Sequence, residues 1–195
     1  MDRRQSIITL SALFASLPLA LYSNENGALV IESDKEEAKF KIGKDAFLLR
    51  PNSKIELIHD GTFTKALTLL GGGVLGVFGG GDKVLKTKTF TAGIRGTGVY
   101  LQEYANDAVY SCLCYGKGDY RYNDSGEVLF SLDSIHHDKP VQIVQAKNGK
   151  LEYEVNATMN NHNDDELRDL EKMCAREVPF EAFLKEQKNK GIYKH

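Results

Sequence analysis

The sequence predicts a mainly β protein, built as a sandwich, barrel or solenoid and followed by one or two C-terminal helices. From residue 28 to 155, short runs enriched in β-branched and aromatic residues follow one another, each bounded by Gly, Pro, Asn or Asp. No helical period interrupts them, and strands in succession without crossover helices argue against a parallel α/β arrangement. Helical spacing starts only beyond Met159, where a capping pattern precedes an apolar stripe.

At the N-terminus, Arg3 and Arg4 precede an apolar run from Ile7 to Leu21, so residues 1–23 read as a signal for export to the periplasm. The run falls slightly short of the ~20 apolar residues that span a bilayer. An uncleaved inner-membrane anchor, the only contact with a membrane, is the alternative. The adjacent arginines also resemble a twin-arginine export signal. Tyr22 to Gly27 is polar and reads as a tether.

Residues 28–158 carry the β domain. Strands are expected at Ala28–Glu32, Ala46–Arg50, Lys54–Ile58, Lys65–Leu70, Val84–Phe90, Gly98–Tyr104, Ala108–Tyr115, Glu127–Leu132, Val141–Gln145 and Leu151–Val155. Turns fall at Pro51-Asn52-Ser53, His59-Asp60-Gly61 and Asn106-Asp107, with hairpin loops at Asn123-Asp124-Ser125-Gly126 and Asn148-Gly149. The glycine-rich stretch from Leu70 to Asp82 lacks the Lys-Ser or Lys-Thr pair of a phosphate loop and no helix pattern follows it, so it reads as tight turns around Val74 to Phe78.

Residues 159–189 form the helical segment. Asn163 followed by Glu166 makes a capping box, and Leu167, Leu170 and Cys174 form one apolar stripe that packs on the sheet. Val178-Pro179 ends this helix, and Phe180 to Lys188 starts a second.

The chain of 195 residues is 42% hydrophobic and 27% charged, the balance of an ordinary folded domain. A formal net charge of −2 supplies no broad positive field for phosphates, so nucleic acid is not expected as a partner. Neither a Ser-His-Asp order, nor a nucleophile elbow, nor paired catalytic carboxylates can be argued, and enzymatic activity is not the favoured reading.

Ala92-Gly93-Ile94-Arg95-Gly96-Thr97, leading into an apolar strand, resembles the central signature of FecR-like domains, and the resemblance covers roughly residues 40–122. It implies a periplasmic all-β module with a sensing or scaffolding role and a periplasmic protein partner. FecR regulators place a cytoplasmic segment before their membrane helix to reach a sigma factor. Only six residues precede the apolar run here, so relay to a sigma factor is not expected. Arg95 is expected to be buried, bonding loop carbonyls, with a kink or bulge at Gly96.

The one cluster that suggests chemistry is Cys112-Leu113-Cys114. Residues two apart in a strand point to the same face, with α-carbons ~6.5–7 Å apart. A twist or bulge would bring both sulfurs onto one ion, whereas a disulfide between such neighbours would be strained. His136, His137 and His162 fall downstream in turn-rich segments. The expected site is therefore a transition-metal centre of Cys112, Cys114, His136, His137 and His162, holding zinc, copper or iron, with Asp138 or Asp164 orienting an imidazole. His59 and His195 stand apart from it. Two alternatives stay open: the cysteines fill the core, or Cys174 forms a disulfide with one of them. In the first case the protein is a metal-free periplasmic scaffold or ligand-binding module. In the metal reading it is a sensor, carrier or redox centre.

Overall fold

The computed structural model describes residues 19–25, 27–146 and 148–190. The expected export signal lies outside them up to residue 18, as does His195. The chain is mainly β with two C-terminal helices, as the sequence predicts, and no described helix is long and apolar enough to cross a membrane.

Among the described residues, thirteen strands join one sheet. They are β1 (Leu19–Ser23), β2 (Leu29–Ser33), β3 (Ala38–Ile42), β4 (Asp45–Leu49), β5 (Lys54–His59), β6 (Thr64–Gly71), β7 (Gly73–Val77), β8 (Asp82–Lys86), β9 (Phe90–Glu103), β10 (Val109–Tyr122), β11 (Val128–Ser134), β12 (Val141–Gln145) and β13 (Leu151–Val155). The main path runs β1-β2-β5-β6-β8-β9-β10-β12-β13, with β7 on β9, β4 on β7, β3 on β4 and β11 on β10. All pairs are antiparallel except β6 with β8. Leu19–Ser23, which overlaps the expected signal and tether, pairs with β2 along its whole length. Both expected hairpins are present, β10–β11 and β12–β13. The glycine-rich stretch forms a turn at Gly72 and then β7, in agreement with the sequence.

The sheet branches because β9 and β10 are each 14 residues long and change partners along their length. One half of β9 pairs with β8, the other with β7; one half of β10 pairs with β11, the other with β12. Irregular register in β9–β10 lies between Leu113 and Tyr115 and between Tyr115 and Lys117, where Gly96 and Gly116 adopt positive φ. The expected kink at Gly96 is thus present. Arg95 is not buried: its side chain is exposed and pairs with Asp82 at 2.6 Å, because it lies on the solvent side of the bend.

Alternation along the central strands builds two cores. Phe47, Leu49, Val74, Val99, Leu101, Val109 and Leu113 face an apolar interior shared with Ile31, Ile55, Leu67 and Phe90. Ala46, Leu48, Leu75, Val77, Tyr100, Tyr110, Cys112 and Cys114 face the other way. That second face is covered by α1 (Asp164–Met173) and α2 (Glu181–Asn189), with Leu167, Leu170, Val178 and Phe180 packed on it. A strand covered on both faces buries every residue, and β4 and β7 do so without exception.

The capping box of α1 is formed, with Asn163 accepting from the Glu166 amide and Glu166 from the Asn163 amide, each at 3.0 Å. The helix ends at Met173, earlier than Val178, because Cys174 caps it and Ala175 turns to φ +55.

Candidate metal centre

Cys112 and Cys114 lie in β10 on the face beneath the helices, both at zero exposure. Between Leu113 and Tyr115 the strand has one residue more than its partner, where Leu113 faces Val99 and Tyr115 faces Gly98. Cys114 is that extra residue, so the bulge re-aims it and lets Cys114 and Tyr115 both join the helix-facing core. Gly98 makes this possible: a Cβ there would lie 2.4 Å from the Tyr115 ring and 3.1 Å from Leu167.

The loop after β11 brings His137 to the pair. The His137 amide donates to the Cys114 carbonyl at 2.9 Å, and the residue is held at φ +48, a left-handed conformation rare outside glycine. Asp138 fixes this turn from within. Its Oδ1 accepts from the amides of Ile135 and His136 and from the Ser134 hydroxyl, so it orders backbone and orients no imidazole.

The third component, His162, precedes the α1 cap. Its Nδ1 lies 2.7 Å from the Asn160 carbonyl, which leaves Nε2 as the ligand atom, 3.1 Å from His137 Nδ1. Its ring stacks on Tyr100 at 4.8 Å. Arg50 holds this segment to the sheet: the guanidinium bonds the Asn161 carbonyl, both Glu166 oxygens at 2.8 Å and Glu37, and lies over the Tyr100 ring. Sequence patterns gave no reason to single out Arg50, since its partners Asn161 and Glu166 lie more than a hundred residues away.

One ligand atom each from Cys112, Cys114, His137 and His162 lie within 4.8 Å of one another. With bonds of ~2.3 Å to sulfur and ~2.0–2.1 Å to nitrogen, such a group would need to contract to hold one tetrahedral ion. The expected fifth ligand, His136, does not join these four. It turns to Asp164, whose Oδ1 lies 2.8 Å from His136 Nε2 and 3.1 Å from His137 Nε2. Asp164 is thus the carboxylate that orients His137, the role offered to it or to Asp138 by the sequence. His59 is remote: it contacts its own turn through the Gly61 amide. All three cysteines are free, so no disulfide forms through Cys174.

The electrostatics favour one thiolate. Cys112 is held well below the usual thiol range by the Cys114 thiol, and by His137 and His162, against its burial. Complete burial and the Cys112 charge push Cys114 up. Burial opposes a charge on His137, but Asp164 and Cys112 outweigh it and raise its pKa to about 9. Asp164 is correspondingly lowered by His136 and His137 despite partial burial. Without metal the site carries a protonated imidazole between two anions, the place a cation would take.

Behind the site, Tyr115 donates to buried Glu171, which Arg176 also bonds at 2.5 Å. This triad ties α1 to the bulge of β10.

No family model matches the chain, nor does any curated protein. Its fold is similar to that of two solved structures described as "a putative anti-sigma factor" from Parabacteroides distasonis ATCC 8503. One gives a TM-score of 0.52 at 10% identity and the other 0.51 at 12%. Each match covers 65% of this chain and 59% of that one, so the chain spans less than two thirds of the length of those proteins. At such identity the likeness is one of fold, a shared β-rich architecture.

Proposed function

We propose that this chain is an exported FecR-like protein that binds one transition-metal ion through Cys112, Cys114, His137 and His162 and senses its presence. A single observation carries the reading: four soft and borderline donors from three separate segments converge, almost wholly buried, with their atoms within 4.8 Å. Buried polar groups without partners are costly, so a fold that gathers two thiols and two imidazoles under a helical cover needs a compensating gain, and an ion supplies it. Two thiolates and two imidazoles suit zinc or copper. A closed four-donor site leaves no position for substrate, which favours sensing or carriage over catalysis at this ion.

The sensing reading follows from where the donors sit. Cys112 and Cys114 belong to the sheet, His137 to a sheet loop and His162 to the helical segment. One ion would staple the helices to the β module, and its loss would release them. The FecR resemblance and the anti-sigma-factor-like fold support a partner that reads this change. The paired arginines and the apolar run that leads into β1 support a periplasmic address.

The test is metal analysis of protein purified from the periplasm with its native metal retained. One equivalent of zinc or copper is expected, lost in Cys112→Ser and in His162→Ala. A folded wild-type protein without stoichiometric metal, and unable to take up Zn²⁺ or Co²⁺ when reduced, would leave the metal-free scaffold reading in its place.

A further inference from the structure

We propose a second metal site, facing solvent, in which His136 Nε2, His137 Nε2 and Asp164 Oδ1 bind a divalent first-row cation, with His137 as an imidazolate bridge to the buried centre. The bridge rests on the proposed four-donor centre, whereas the outer donors stand on their own geometry.

His136 and His137 are adjacent, and neighbouring side chains ordinarily diverge. Here the left-handed turn at His137 sets the two rings edge to face at 4.9 Å, so that both Nε2 atoms meet one carboxylate oxygen. The three ligand atoms lie within 4.8 Å of one another. The backbone of this turn is pinned by Asp138, and Asp164 is pinned at the first residue of α1, so the group is held by rigid elements on both sides. Arg168 approaches the other Asp164 oxygen, Oδ2, at 3.9 Å, while donating to Asp165 and Glu181 at closer range. Oδ1 is left to the imidazoles.

The two faces of His137 differ. Nδ1 points to the buried sulfurs and His162, while Nε2 points to a groove lined by Met159, Asp165, Arg168 and Leu184. Two imidazoles and one carboxylate on one side of an ion leave its remaining positions to water or a ligand from the groove, the open geometry the inner centre lacks. Binding is an exchange of cations: the ion enters, the proton on His137 Nε2 leaves, and the ring bridges as an imidazolate.

Cobalt titration of the full-length reduced protein tests this. The expected result is two equivalents, the tighter one with a thiolate-to-cobalt charge-transfer band and the weaker with ligand-field absorption only. His136→Ala and His136→Gln should both lose the second equivalent while keeping the charge-transfer band, which also reports that they are folded. Magnetic coupling between the two cobalt ions is expected in the wild type through the shared ring. A wild type that takes one equivalent with the thiolate band and no other, or a second equivalent unaffected by either His136 variant, overturns the outer site. If no thiolate band appears but a His136-dependent equivalent remains, the buried centre and the bridge fail and the outer site survives. Two ions without coupling overturn the bridge alone.

Discussion

The two faces of the central strands make opposite uses of the same backbone. On one face Phe47, Leu49, Val99, Leu101 and Leu113 build an apolar core. On the other, separated from it by the thickness of a strand, Tyr100, Tyr110, Cys112, Cys114 and Tyr115 meet His137, His162 and Glu171 under two short helices. The first face is held by removal of apolar area from water, at ~25 cal/mol per Å². The second buries imidazoles, thiols and a carboxylate, whose desolvation opposes folding unless partners offset it. The first face makes the fold; the second draws on that stability to hold a site.

This difference can be broken experimentally by asking which variants respond to metal. Removing Phe47, fully buried and in contact with the Phe40 and Phe78 rings, by Phe47→Ala should cost ~3–5 kcal/mol. Chemical denaturation should give the same loss with zinc and with a chelator. Cys112→Ser should show the opposite dependence. A bound ion at a hundred times its dissociation constant adds ~2.7 kcal/mol of stability. The variant should lack that increment in zinc and approach the wild type in chelator. Equal destabilisation of Cys112→Ser in both conditions would mean that its thiol only fills space.

Smaller effects should follow from the connection between helices and sheet. Arg50→Met, which keeps the stem over Tyr100 but removes the charge bonded to Glu166, should cost ~3 kcal/mol, since it leaves a largely buried carboxylate with only the Asn163 amide as partner. It should also weaken metal binding, about tenfold, by loosening the segment that carries His162. A loss of stability with unchanged affinity would separate the two roles. Chelation of the wild type should raise amide exchange in residues 159–173 while that of β4 and β9 stays slow.

Protons sharpen the comparison, because the second face carries the imidazoles and thiols that must give up protons to an ion. The His137 pKa, raised to about 9, means that below this pH an incoming ion must displace its proton. A raised pKa favours the protonated, metal-free form, so apparent affinity should climb as pH rises from 6.5 to 9, and more gently beyond, where only the raised Cys114 thiol still has a proton to give up. Calorimetry in buffers of different ionisation enthalpy would count the protons released. Affinity independent of pH across this window would exclude His137 as a ligand.

The unequal legibility of the two faces has the same origin. Alternation in Val141–Gln145 and Leu151–Val155 is enough to place both strands; burial follows the same period in the first, whereas in the second only Leu151 is buried. Short β3 and the full length of β9 and β10 were missed, since glycines at 96, 98 and 116 read as strand ends although the strands run on through them, bending at Gly96 and Gly116. The site was legible as a composition of ligands, and even the bulge at Cys114 was anticipated as a need. Which histidines would join was not legible. Adjacent His136 and His137 are equivalent in the sequence, and only the φ of +48 at His137 sends one ring to the sulfurs while the other stops at Asp164. Arg95 shows the reverse error, where a bend placed the side chain on the solvent side.

The smallest effect expected tests how finely the helical segment must be set. Asn163 is flanked by His162, a proposed donor to the buried centre, and Asp164, the carboxylate on His137, so its cap bears on both neighbours. Asn163→Ala removes a bond to the Glu166 amide and should cost ~1 kcal/mol, whereas Asn163→Asp keeps an acceptor and should cost far less. If the cap serves only helix stability, metal affinity in Asn163→Ala should stay within a factor of two of wild type, given that the folded state remains dominant. If it positions the donors, affinity should fall by more, and Asn163→Asp should restore it. The second outcome is expected, because the proposed ligand His162 and the carboxylate that orients His137 straddle one cap, and a shift of the first turn would move both together.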